Sequence, residues 1–249
     1  MENNIALENI ISDLTIGEIV AQDFRKAEVF KKYGIDFCCR GNVTIEEACA
    51  KREINSDELI EKLLEIENKE IEPNTDFNSW DLSELADYIV NKHHKYVAES
   101  IPIMREFGTK VCKVHGEHNP ELIDIYKHFN YVAEELLMHM PKEECMLFPY
   151  IKELNAANKT GAPINKPHFG SVQNPIRMME LEHITAGNDM EKAKELSNNF
   201  TPPDHACATY RVFFSKLNEF EIDLHHHIHL ENNILFKKAI ELEQKLFDK

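Results

Sequence analysis

Glycine is scarce in this chain, with 8 residues in 249, and tryptophan occurs once. So few glycines leave little room for the tight turns of a many-stranded protein, and alternating β-branched runs are rare as well. No stretch approaches the roughly 18 consecutive apolar residues that mark a membrane span. The opening segment MENNIALENIISDLTIGEIV has no basic n-region and no small-residue cleavage site, so it does not read as a secretory signal. Basic residues are also few: 28 Lys and Arg stand against 44 Asp and Glu, a net charge of −16. A surface of that sign repels phosphate backbones and offers anionic lipid no polybasic patch, which argues against nucleic acid and membranes as partners. The 6 cysteines form no C-x-x-C pair. In a long chain without a signal they read as reduced thiols of a cytoplasmic protein.

What is present is helical periodicity, in a composition that is 43% apolar and able to bury a core. The expected fold class is all-α. A small helical domain is expected over residues 1–72, its helices lying between about 13 and 69. The stretch TIEE at 44–47 spells a capping box, in which Thr44 caps the amide of Glu47 and Glu47 reaches back. The next helix starts at Asn55 or Ser56. IEPNTDFNS, 71–79, has no periodicity and reads as a linker. Residues 80–249 divide into four long helical segments, near 80–107, 119–154, from 174 and 205–247, which predict a four-helix bundle. Gly108 is expected to stop the first, and Asn174 with Pro175 to open the third.

Histidine is the unusual residue, with 13 copies. On the first bundle helix the i, i+3, i+4, i+7 stripe runs Leu82, Leu85, Ile89, His93, Val97; on the second Phe129, Val132, Leu136, His139, Glu143, Leu147. The third runs Ile176, Met179, His183, Ala186, and the fourth Phe220, Leu224, His227, Glu231, Leu235. Each helix thus puts one histidine on its buried face, and two add a glutamate one turn further on. One buried histidine is ordinarily a hydrogen-bonded core residue. Four imidazoles and two carboxylates in one core are different, because their desolvation is costly unless a cation neutralises them. Imidazole and carboxylate suit iron, zinc or manganese, and six donors are too many for one tetrahedral zinc. The pattern predicts two metals bridged by the carboxylates, with positions open for a small ligand. His94 follows His93 but is turned about 100° away on an ideal helix. His225, His226 and His229 flank the stripe and read as solvated, and His115 is a candidate outer or third ligand.

GIDFCCRGN sets Cys38 beside Cys39, ahead of Arg40 and of the helix capped by Thr44. Both features are expected to ease thiol ionisation, which makes the pair a candidate redox-active or metal-capturing site; the alternative is two small apolar residues in a turn. Cys49, Cys112, Cys145 and Cys207 are isolated and read as structural.

YGIDFCCRGNVTIEEAC, followed by HMPKEECMLFP, MMELEH and HIHLENNILF, resembles the repair-of-iron-centres family over nearly the whole chain. The resemblance implies a cysteine-bearing N-terminal domain joined to a hemerythrin-like bundle that holds two iron ions. By motif the ligands fall on His93, His139, Glu143, His183, His227 and Glu231, with Glu143 and Glu231 as bridges, and the family's cysteine pair on Cys38 and Cys39. It further implies a cytoplasmic homodimer that repairs iron–sulfur clusters in client proteins after oxidative or nitrosative damage, by donating iron. A nitric oxide reductase and a dioxygen-binding or sensing protein are the alternatives, with nitric oxide or dioxygen as small ligands. Pro141, between His139 and Glu143, departs from the pattern: it predicts a kink that shifts the Glu143 carboxylate, or a local bulge.

Overall fold

The structure, a computed structural model, describes residues 14–67 and 76–247. Apart from one antiparallel bridge between Thr15 and Thr44, the regular structure among these residues is helical. The chain forms two compact units: residues 1–81 with 228–237, and residues 82–227 with 238–249. Residues 71–75 of the expected linker lie outside the described residues; Phe77–Ser79 form a 3₁₀ turn.

In the first unit, α1 (Ile16–Gln22) starts at a capping box in which Thr15 takes the amide of Glu18 and Glu18 reaches back. After a 3₁₀ turn, α2 covers Ala27–Lys32. The box at Thr44 and Glu47 forms as the sequence predicts and starts α3 (Ile45–Ala50). The Asn55 side chain takes the amides of Asp57 and Glu58 and starts α4 (Ser56–Glu67). Such caps are worth about 1 kcal/mol each, a large share for helices of six or seven residues. Ile16, Ile19, Val20, Phe30, Ile45, Leu59 and Leu63 fill the core.

The four long helices form a bundle; all of it belongs to the second unit except residues 228–237 of the fourth helix, which are grouped with the first unit. The first long helix runs through α5 (Leu82–Ile89), a π turn at Val90–His94 and α6 (Lys95–His115). The second joins α7 (Glu121–Lys142), a π turn at Glu143–Leu147 and α8 (Phe148–Thr160). The third is α9 (Gln173–Leu196). The fourth joins α10 (Ala208–Leu230), a π turn at Glu231–Leu235 and α11 (Phe236–Phe247). The buried stripes meet in an aromatic core, with Phe213 against Tyr126 and Phe220 against Phe129.

Two expected boundaries move. Gly108 does not stop the first helix, which continues to His115. A Cβ there would lie 2.4 Å from the ring of Tyr126. The glycine is therefore an approach point between helices rather than a terminus. Asn174 does not cap the third helix either. Its side-chain amide donates to the Phe169 carbonyl, while the Val172 amide donates to the buried carboxylate of Glu243.

Candidate metal centre

Two sets of four side chains in the bundle bring ligand atoms within 4.8 Å of one another: His94, Glu143, His227 and Glu231, and His139, Glu143, His183 and Glu231. Both sets contain Glu143 and Glu231, and all six residues are buried, the carboxylates completely. The Nε2 atoms of His94 and His227 face each other at 3.1 Å, as do those of His139 and His183. Glu143 Oε2 lies between the pairs, 3.4 Å from His94 Nε2 and 3.2 Å from His139 Nε2. Two imidazole nitrogens directed at each other beside a buried carboxylate make a donor set that a shared cation satisfies. The residues present fit metal.

Outside the ring edges, carboxylates fix the tautomers. His94 Nδ1–H donates to Glu144 at 2.8 Å, and His139 Nδ1–H donates to Glu182, also at 2.8 Å. This leaves each Nε2 lone pair directed inward, the arrangement by which outer carboxylates orient and strengthen histidine ligands. Burial raises the Glu182 carboxyl, but hydrogen bonds from Lys142, at 2.5 Å, and His139 outweigh it and hold it below the ordinary carboxylate range. The structure puts Glu182 on His139 and Glu144 on His94. Both lie off the apolar stripes and carry no periodic signal.

Of the six residues expected from spacing, His139, Glu143, His183, His227 and Glu231 come together. His93 does not join either set; His94 occupies that place. The cause is the π turn at Val90–His94, whose wider i to i+5 repeat brings the residue after the ideal-helix position inward. His93 is buried beside it, donating from Nδ1 to Asp223 at 2.9 Å and stacked on the His227 ring at 5.6 Å. Similar π turns begin at both glutamates. Glu143 opens one two residues after Pro141, and Glu231 opens another in a helix with no proline nearby. The widened turn therefore belongs to the His-x-x-x-Glu arrangement on both helices and does not require the proline.

Other histidines differ from expectation. His229 is buried between Phe24 and Phe37 with Asn233 on its Nδ1, and burial pulls His226 down to about 3, which keeps it neutral. His115 contacts Cys207 and enters neither metal set.

In the first unit Cys38 and Cys39 are free thiols with sulfurs 3.7 Å apart. Asp36 Oδ1 accepts from both backbone amides and from the Cys38 thiol, which gathers Asp36, Cys38 and Cys39 into a third potential ligand group. The amide of Asn233 donates to the Phe37 and Cys38 carbonyls and holds the turn. A Cβ on Gly17 would meet that amide at 2.2 Å, so glycine is required there. The expected easing of ionisation does not reach Cys38: its hydrogen bond with Cys39, its burial and the Asp36 charge push the thiol well above its ordinary range.

Residues 85–239 match the hemerythrin HHE cation binding domain, and residues 4–67 match a Domain of Unknown function, DUF542. A protein of Haemophilus influenzae named "Probable iron-sulfur cluster repair protein" is 36% identical over 214 residues, 86% of this chain and 90% of that protein. The "Iron-sulfur cluster repair protein YtfE" of Escherichia coli O81 (strain ED1a) is 35% identical over 228 residues, 92% of this chain and 97% of that protein. The protein of the same name from Escherichia fergusonii matches at the same identity and coverage. Alike in both domains and in nearly full length, the chain belongs to the hemerythrin HHE family, in the group that includes these iron–sulfur cluster repair proteins.

Proposed function

We propose that this protein holds two iron ions, bridged by Glu143 and Glu231, and donates iron to iron–sulfur proteins whose clusters have been damaged by oxidative or nitrosative stress. The observation that carries the reading is the sharing of both buried carboxylates by two histidine pairs. His94 and His227 would hold one ion and His139 and His183 the other, with two carboxylates common to both. The relatives' names supply the repair role. Iron held there supplies redox chemistry and affinity for small ligands, nitric oxide or dioxygen among them. The chain's own residues contribute orientation: Glu144 and Glu182 fix two of the imidazoles, and burial excludes water from the carboxylates. With two carboxylates shared between two ions, each ion receives little anionic charge, which favours release over storage.

Asp36, Cys38 and Cys39 fit the role of receiving or passing on a metal ion. The raised Cys38 thiol favours the protonated form until a cation displaces the proton, so capture is coupled to proton release. A domain division at the segment 73–79, a homodimer and a cytoplasmic setting, in keeping with six free thiols, complete the reading. No helix among the described residues is long and apolar enough to cross a membrane.

Metal analysis of anaerobically purified protein tests the reading. We expect about two irons per chain in the wild type. Glu143→Gln should lose both, because that carboxylate serves both sets, and His183→Ala should lose one. A single zinc, or equal losses in the two variants, would overturn it.

A further inference from the structure

The metal centre uses none of the chemistry at the other end of the bundle. There, His115 closes the first long helix and Cys207 immediately precedes the fourth, and His115 Nε2 lies 3.1 Å from the Cys207 sulfur. From His94, the 21-residue α6 places His115 about 30 Å along the rod. Cys207 is exposed. Its carbonyl accepts the Arg211 amide, so it occupies the capping position of a 23-residue helix. Negative charge on its sulfur would stand at the positive end of the helix dipole. The His115 ring is held against Tyr210, centroids 5.4 Å apart, and Tyr210 also lines an open cleft of about 590 Å³ with Asn119, Asp204, His205 and Phe214.

We propose that Cys207 and His115 form a second reactive centre, a thiol–imidazole pair that reduces hydroperoxides. The thiol proton passes to His115 Nε2, across a contact already made. The sulfur then attacks the terminal oxygen of the hydroperoxide: an S–O bond forms, the O–O bond breaks, and the departing alkoxide or hydroxide takes the proton from the imidazolium. The sum is Cys207–SH + ROOH giving Cys207–SOH + ROH, with sulfur oxidised by two electrons and the peroxide reduced by two. A neutral hydroperoxide suits this place better than an anionic disulfide, because the neighbouring cleft, which shares Tyr210 with the pair but is lined by neither His115 nor Cys207, carries Glu121 and Asp204, and the chain has a net charge of −16. The other thiols lack this combination. Cys38 and Cys49 are buried, Cys39 is half-buried with its sulfur 3.7 Å from that of Cys38, and Cys112 donates to the Leu122 carbonyl with its thiol raised by burial. Cys145 is exposed but lies within a helix, in the π turn after Glu143, and provides an internal comparison.

The test is site-resolved thiol reactivity in the intact, metal-loaded protein near pH 7, read by peptide mass spectrometry. With iodoacetamide, Cys207 should react about tenfold faster than Cys145 in the wild type, a comparison that needs no variant. His115→Gln should bring Cys207 to the Cys145 rate while leaving iron content unchanged. With hydrogen peroxide and a 1,3-dione trap, the sulfenate adduct should appear on Cys207 and be lost in His115→Gln and Cys207→Ser. Equal alkylation of Cys207 and Cys145, an unaltered rate in His115→Gln, or a sulfenate confined to another cysteine would each overturn the proposal.

Discussion

His93 and His94 are adjacent, both buried, and separable by experiment because they do different work. Replacing His94 with alanine removes one imidazole from one of the two ligand sets and frees Glu144, which is 40% exposed and returns to water at little cost. Chelated His94→Ala protein should therefore melt close to chelated wild type, since a crowded cluster of buried polar groups has lost one member. Its metal content should fall by about half, because His94 enters only one set. Replacing His93 with alanine leaves both sets whole. It empties a ring-sized space beside His227 and removes the donor to Asp223, whose carboxylate is 17% exposed and accepts from His93. Leaving a largely buried acceptor unsatisfied costs about 1–3 kcal/mol. For a unit of this size that is a fall of about 2–12 °C in Tm. Melts must be compared without metal, since bound ligand adds its own stabilisation to the native state. The assay is elemental analysis of anaerobic protein beside thermal unfolding of the chelated forms. Loss of metal in His93→Ala with retention in His94→Ala would refute the register derived from the π turn.

Two further outcomes follow from contacts outside the ligand sets. Glu182→Ala removes the acceptor that orients His139 and should weaken metal binding about 10–100-fold, with Glu182→Gln milder because its amide oxygen still accepts; competition against a chromophoric chelator reads this, and unchanged affinity in both variants would show that Glu182 does not position the ring. Gly108→Ala places a Cβ against a Tyr126 ring held by its hydroxyl on the Arg105 carbonyl and Thr109. Overpacking costs about 1–3 kcal/mol, against a gain in helix propensity of at most ~1 kcal/mol, so Tm should fall, and a variant melting higher would refute the close approach.

Much of the architecture was legible because it depends on side-chain chemistry that repeats. Apolar residues at helical spacing mark the four long helices, and Thr44 with Glu47 marks the start of α3 because a hydroxyl and a carboxylate three residues apart satisfy each other's backbone groups. Gly108 misled for a physical reason. A glycine in a helix is either an end or a place where something comes close, and only the partner, Tyr126 on another helix, distinguishes the two. The Cys38 thiol misled in the same way: Arg40 and the capped helix are visible in sequence, whereas the Asp36 carboxylate folded back onto both cysteine amides is a property of the turn.

The ligand histidine of the first helix shows where periodicity stops informing. An i, i+4 pattern selects His93 from Ile89, and nothing in VNKHH tells whether the turn holds four residues or five. The three π turns lie at His94, Glu143 and Glu231, each at or opening on a member of the ligand sets, while the third helix, which supplies only His183, is α-helical throughout. A π turn sacrifices regular hydrogen bonding, so its recurrence at these positions points to a requirement of the site. Both His-x-x-x-Glu pairs must turn the histidine and the glutamate toward one small volume, and in a regular helix residues four apart diverge by about 40° around the axis. Widening the turn at the glutamate redirects the carboxylate without moving the histidine. Proline at 141 lies in the α-helical stretch just before that turn, and the turn at Glu231 forms with no proline near it, so the widening serves the carboxylate rather than the proline.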